Sequence, residues 1–219
     1  MSKIELIGVN KYIRKNPILL DINLELDPGN IYGFKGQNGC GKTMLMRMIG
    51  GLILPNSGEV RIDGKVLHKD IAYPESIGAL IENPAFLGGY TGRENLRMLA
   101  RLSDGIGNED VDRAIESVGL DPNDKRKYRQ YSLGMKQKLG IANAVMGEPD
   151  IIMLDEPINA LDEESVKKIR VMLRKLRDKG KLLIIACHDR EEIEYLSDEI
   201  ILMHEGRIVG REKIEHEND

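Results

Sequence analysis

One stretch, Gly36-Gln37-Asn38-Gly39-Cys40-Gly41-Lys42-Thr43, limits what this 219-residue chain can be more than any other. Its spacing is a glycine, four residues, then Gly-Lys-Thr. That is the pattern of a loop whose successive backbone N–H groups turn toward phosphate oxygens. The glycines permit the tight turn, the Lys42 ammonium meets the β- and γ-phosphates, and the Thr43 hydroxyl is placed to ligate Mg²⁺. Such a loop works only between a strand and a helix. Ile31, Tyr32, Gly33, Phe34 and Lys35 read as the strand. Met44, Leu45, Met48 and Ile49 recur at helical spacing until Gly50-Gly51 end the run. The expected nucleotide contacts run from Gly36 through Met44.

Composition restricts the partners. Hydrophobic residues make up 41% and charged residues 31%, the balance of a soluble chain with a real core. The length suits one α/β domain, with or without an inserted subdomain. A net charge of −4 supplies no basic face for nucleic acid, which is excluded as the expected partner. The longest apolar stretch, residues 182–187, is far too short to cross a bilayer. Nothing at the N-terminus has the pattern of a secretory leader. Two cysteines, Cys40 and Cys187, make no disulfide framework, so a reducing cytoplasm is the expected location. A role at a membrane then requires a separate spanning partner.

Along the chain, residues 3–9 and 19–26 alternate apolar with polar, as half-buried strands do. Residues 59–67 read as a hairpin turning at Asp63-Gly64, and 77–81 as a further strand. The pattern then becomes helical. Thr91 and Glu94 form a capping box, Asn108 is placed to cap a second helix, and Ser132 a third. Alternation resumes with the apolar runs 151–154 and 182–186, typical of buried parallel strands. Between them a charged helix carries Val166, Ile169, Leu173 and Leu176 on one face. Residues 200–203 form a last predicted strand, and 212–219 a solvated tail. The predicted fold is α/β with a mostly parallel sheet, an N-terminal antiparallel β subdomain, and a helical subdomain at 88–147 inserted into a core of 1–87 and 148–219.

Two buried strands end in reactive side chains: Asp155-Glu156 after one and His188 after the other. Ligands of open α/β sheets sit at the carboxyl ends of the strands, where the phosphate loop also lies. Asp155 is expected to hold Mg²⁺ and Glu156 to accept a proton from the water attacking the γ-phosphate. The plain alternatives are a solvated acidic strand end and a core histidine.

Tyr131-Ser132-Leu133-Gly134-Met135-Lys136-Gln137-Lys138 and Asn159-Ala160-Leu161-Asp162 complete a set of motifs over nearly the whole chain. Together they resemble the nucleotide-binding subunit of ATP-binding cassette (ABC) transporters. The resemblance implies a P-loop ATPase using ATP and Mg²⁺ and dimerising with a second ATPase subunit. It also implies attachment to the inner face of the cell membrane through a separate permease. It implies that Tyr12 stacks on adenine, that His188 contacts the γ-phosphate, and that Lys42, Glu156 and His188 are catalytic. Ser132, Gly134, Met135 and Asp162 would face the second subunit's ATP. The chain departs from the family at Leu133 and Met135, where glycine and glutamine are usual, and at Glu82, where most members carry glutamine near the metal. Glu82 and the 131–137 run resemble transporters for bacitracin or lantibiotic peptides, including self-immunity systems. Phe86, Leu87 and Tyr90 are expected at a groove for the permease. The other classes in view are an ABC-type ATPase uncoupled from transport and a nucleotide sensor.

Overall fold

The structure is a computed structural model that describes residues 2–103, 105–188 and 190–215, with Arg190 described by its backbone alone. In chain order the elements are β1 (Ile4–Ile13), β2 (Asn16–Leu26), β3 (Ile31–Lys35), α1 (Lys42–Ile49), β4 (Ser57–Ile62), β5 (Lys65–Val66) and β6 (Ile77–Leu80). Then follow α2 (Gly92–Ala100), α3 (Asn108–Ser117), a 3-10 turn (Tyr128–Gln130), α4 (Leu133–Val145), β7 (Ile151–Asp155), α5 (Glu163–Asp178) and β8 (Leu182–Ala186). The chain continues with α6 (Arg190–Leu196), β9 (Glu199–His204) and β10 (Arg207–Lys213).

Two sheets result. The first is four-stranded and antiparallel, in the order β2-β1-β4-β5. The second has six strands in the order β10-β9-β3-β8-β7-β6, parallel except for the edge strand β10. Because β3, β7 and β8 are parallel, the residues that follow them emerge at one edge of the sheet. That register brings the 36–43 loop, Asp155 and His188 to one side of the molecule.

Strand periodicity divides the core. Ile151, Met153, Leu182, Ile184 and Phe34 point toward α1 and the first sheet, where they meet Leu45, Met46, Met48, Ile4 and Leu24. The alternate residues, Ile152, Leu154, Leu183 and Ile185, point to the other face and pack with Leu96, Ile115, Leu139, Ile141, Ile169 and Leu173. Both faces of β7 and β8 are therefore buried, which explains their unbroken apolar runs. Each such side chain contributes about 1.5–3 kcal/mol by leaving water. Two glycines let α4 lie directly on β6: a Cβ at Gly78 would meet the Ala144 carbonyl oxygen at 1.8 Å, and one at Gly140 would meet Leu80 at 2.9 Å.

Local sequence rules set most of the boundaries. Asp63 and Gly64 both take positive φ (51° and 76°), as the two-residue hairpin turn requires. The Thr91 capping box forms, with Thr91 accepting from the Glu94 N–H and Glu94 accepting from the Thr91 N–H. The cap of α3 differs from expectation by one residue. Gly107 is the N-cap and its N–H donates to Asp110 at 2.7 Å, so Asn108 opens the helix. The expected tail also needs correction, because Glu212 and Lys213 pair with Ile200 and Glu199 in the β10–β9 ladder; residues 216–219 lie outside the described residues. Among the described residues, no helix is long and apolar enough to cross a membrane.

Candidate active site

The 36–43 loop leaves β3 and closes on itself before α1 begins. Gly36 has room for no side chain, since a Cβ would lie 2.3 Å from the Met203 carbonyl oxygen. Gly41, the residue before α1, has φ 109°, a backbone that only glycine adopts at little cost. The Cys40 carbonyl accepts from the Gly206 N–H at 3.0 Å, which ties the loop to the β9–β10 turn. Lys42 is buried, and its ammonium folds back over the loop to donate to the carbonyls of Gly36 (2.7 Å) and Gln37 (3.4 Å). The first N–H groups of α1 and this ammonium are groups that can together receive an anion.

The ends of β7 and β8 complete it. The Thr43 hydroxyl donates to Asp155 Oδ2 at 2.7 Å. Glu156 Oε2 lies 2.8 Å from His188 Nδ1. Burial pushes the Asp155 carboxyl above its ordinary range; the Thr43 hydrogen bond and Lys42 oppose this, while the Glu156 and Glu82 charges reinforce it. A cation bound at this carboxylate removes that penalty. Glu156 takes φ 50°, an unusual backbone for a residue with a side chain. Its carbonyl accepts from Gln137 Nε2 at 2.9 Å, and the next carbonyl, of Pro157, accepts from the same amide at 3.3 Å. Gln137 is itself buried in α4. The α4 helix thus grips the turn that aims Glu156.

These groups surround a cavity of about 570 Å³ lined by Asn38, Gly39, Gly41, Lys42, Thr43, Met44, Glu82, Asp155 and Glu156. Ile18, Asn83, Gln137 and Asn159 also line it, and none of these four was singled out as a site residue. Gln137 stood within a recognised motif, but its amide reaches the site only because α4 packs on the β6–β7 edge. Glu82, at φ 64°, pairs with Arg47 at 2.7 Å in a largely exposed ion pair. The Cys40 side chain turns into the core below the loop. His188 is exposed, so the core-histidine alternative is excluded. Tyr12 is 40% exposed on β1 and does not line the cavity.

Ser132, Gly134, Met135 and Asp162 lie outside this cavity. Ser132 caps α4 by accepting from the Met135 N–H at 3.2 Å, and its side chain stays exposed. A Cβ on Gly134 would approach the Ala160 carbonyl to 2.8 Å, so glycine keeps the start of α4 against the 159–162 loop. Asp162 caps α5, and hydrogen bonds from Ser165 hold its carboxyl below the usual range.

Residues 19–159, well over half of the chain, match the family described as ABC transporter. This chain belongs to the ABC transporter family. The bacitracin transport ATP-binding protein BcrA of Enterococcus faecalis is 41% identical over 208 residues, covering 94% of this chain and 68% of that protein. An uncharacterized ABC transporter ATP-binding protein of Bacillus subtilis, YybJ, is 40% identical over 216 residues, 99% of each. The lantibiotic transport ATP-binding protein SrtF of Streptococcus pyogenes is 31% identical over 95% of this chain and 89% of its own. Among solved structures, the dimeric cassette MJ0796 superposes with a TM-score of 0.88 at 26% identity, covering 97% of this chain and 99% of that one. A dimer of MJ0796 in a post-hydrolysis state, bound to ADP and Pi, gives 0.87 at 25% identity over the same shares. The ABC chain described here is an ATP-binding, ATP-hydrolysing transporter subunit with an α/β cassette fold.

Proposed function

We propose that two such subunits, two copies of this chain or one copy with a close relative, close over two ATP molecules and drive a separate membrane permease. The observation that carries this is the convergence of Lys42, the Thr43–Asp155 pair and Glu156 on one cavity, with His188 against Glu156 at 2.8 Å. Phosphate oxygens replace the loop carbonyls as partners of Lys42, and the 36–43 N–H groups receive the remaining charge. Thr43 and Asp155 offer hard oxygen atoms 2.7 Å apart, a donor set that fits Mg²⁺, and Glu82 borders the same space. Held by Thr43 and Asp155, Mg²⁺ would supply charge neutralisation for the phosphates. Glu156 takes the proton of the attacking water as its oxygen bonds to the γ-phosphorus. The bridging oxygen leaves with ADP. His188 holds the Glu156 carboxylate in place and reaches toward the γ-phosphate.

Ser132, Gly134, Met135 and Asp162 serve the partner's ATP. In support, the start of α4 presents an exposed helix N-terminus away from its own phosphate loop. Tyr12 stacks on adenine. Residues 88–147 act as the helical subdomain that carries this surface, with 1–87 and 148–219 as the nucleotide-binding core. Leu87 and Tyr90, both exposed, border the permease groove, while Phe86 packs edge-on against Tyr128 with ring centres 5.3 Å apart. The names of BcrA and SrtF, a bacitracin and a lantibiotic transport protein, support a peptide antibiotic as cargo; resistance or self-immunity is the role this reading gives the subunit. The subunit then sits at the inner face of the cell membrane through its permease.

Glu156→Gln tests the central claim. It should hydrolyse ATP at least about 100-fold more slowly and accumulate as an ATP-bound dimer in size-exclusion chromatography. Wild-type turnover in this variant removes Glu156 from the base role. Membrane co-fractionation that appears only with a co-expressed permease separates transport from an uncoupled ATPase.

A further inference from the structure

Beside the phosphate site, at the end of β8, three side chains of different chemistry meet. The ligating atoms of Glu156, Cys187 and His188 all lie within 4.8 Å of one another, the one such group of metal-ligating side chains among the described residues. We propose that this trio binds Zn²⁺ and that its occupancy arrests ATP hydrolysis. The inhibitory part rests on the reading of Glu156 as the base; the binding part does not.

The donor set selects the ion. A thiolate sulfur, an imidazole nitrogen and a carboxylate oxygen are ligands of Zn²⁺, whereas Mg²⁺ takes oxygen alone. The Thr43–Asp155 oxygens therefore stay with Mg²⁺, and the two ions do not compete for one place. Distances fit with small adjustments. Zn²⁺ bonds of about 2.0–2.3 Å in a tetrahedron place ligand atoms roughly 3.3–3.8 Å apart. Glu156 Oε2 and His188 Nδ1, now 2.8 Å apart, open slightly and move toward the Cys187 sulfur.

Burial distributes the roles. Cys187 is 2% exposed and packs with Ile193 and Ile200, so it is a fixed anchor that bulky oxidants do not reach. His188 is exposed, and its Nδ1 already faces Glu156 Oε2, so an entering ion takes the place of that hydrogen bond; the Glu156 side chain is 25% exposed. The ion enters from the His188 side and keeps a water in its fourth position. Binding releases the thiol proton to solvent. A Glu156 carboxylate committed to the ion no longer accepts a proton from water, and a metal-bound His188 no longer faces the γ-phosphate.

The test uses the purified full chain. Co²⁺ replaces Zn²⁺ as a visible probe, and wild-type protein should give a thiolate-to-cobalt charge-transfer band that added Zn²⁺ abolishes. In saturating Mg-ATP, buffered free Zn²⁺ should inhibit hydrolysis. Cys187→Ala should keep the basal rate, lose the band, and raise the half-inhibitory Zn²⁺ concentration by roughly 100-fold. A wild-type chain with no thiolate band overturns the site, whatever the variant does. A band with hydrolysis unaffected by Zn²⁺ overturns the inhibition; the catalytic reading of Glu156 falls only if Glu156→Gln also turns over at the wild-type rate.

Discussion

Replacing Gln137 by methionine isolates what its amide does, because methionine is unbranched and of similar length. The substitution removes the donor to the carbonyls of Glu156 (2.9 Å) and Pro157 (3.3 Å). The Glu156 carbonyl keeps a second partner, the Asn159 N–H at 3.3 Å. One carbonyl is therefore stripped and the other weakened. Leaving a buried acceptor unmade costs about 1–3 kcal/mol, so the pair loses about 2 kcal/mol. For a chain of this size each kcal/mol moves Tm by about 2–4 °C, giving a fall of about 4–8 °C in nucleotide-free thermal unfolding. The functional loss should exceed the stability loss. Glu156 sits at φ 50°, and without the clamp that turn relaxes toward commoner backbone angles, carrying the carboxylate away from the attacking water. Steady-state ATPase assays should show kcat reduced at least about tenfold with KM for ATP unchanged, since the phosphate loop is untouched. Gln137→Glu should fare worse still, because it sets a carboxylate against two carbonyl oxygens. A methionine variant with wild-type Tm and kcat refutes the clamp.

Asp155→Asn should stabilise the metal-free protein while abolishing stabilisation by Mg²⁺. The folded state raises the Asp155 pKa through burial, so it holds the proton more tightly than the unfolded chain does. That contribution to stability is present at low pH and is lost as pH rises through the folded value. The Tm advantage of the asparagine variant should therefore be largest at neutral pH and vanish toward about pH 4; an advantage constant with pH refutes the argument. Glu82→Gln breaks a largely exposed pair with Arg47, worth under about 1 kcal/mol, so Tm should barely move. The Mg²⁺ concentration giving half-maximal ATPase should rise; if it does not, Glu82 is only the end of a strand.

What the chain discloses in one dimension is what strand and loop chemistry write locally. The phosphate loop announces itself by glycine spacing. The runs 151–154 and 182–186 are apolar at every position because both faces of β7 and β8 are covered, so the polar residues that follow them stand out. Asp155, Glu156 and His188 were legible for that reason. The α6 helix was not, because its seven residues include three glutamates and its apolar contact is made at a distance: Ile193 fills the space a side chain on Gly33 would need. The role of Gln137, though not the motif that holds it, was illegible on the same ground. Its function depends on α4 coming within contact of β6, and that approach is set by Gly78 and Gly140, each lacking the Cβ that would hold the two elements apart. Neither glycine sits in a motif, and neither touches the site. Both nevertheless decide where the Gln137 amide falls, and through it the aim of Glu156. A substitution at Gly78, where an added Cβ would lie 1.8 Å from the Ala144 carbonyl oxygen, should therefore act on hydrolysis through the same clamp as one at Gln137.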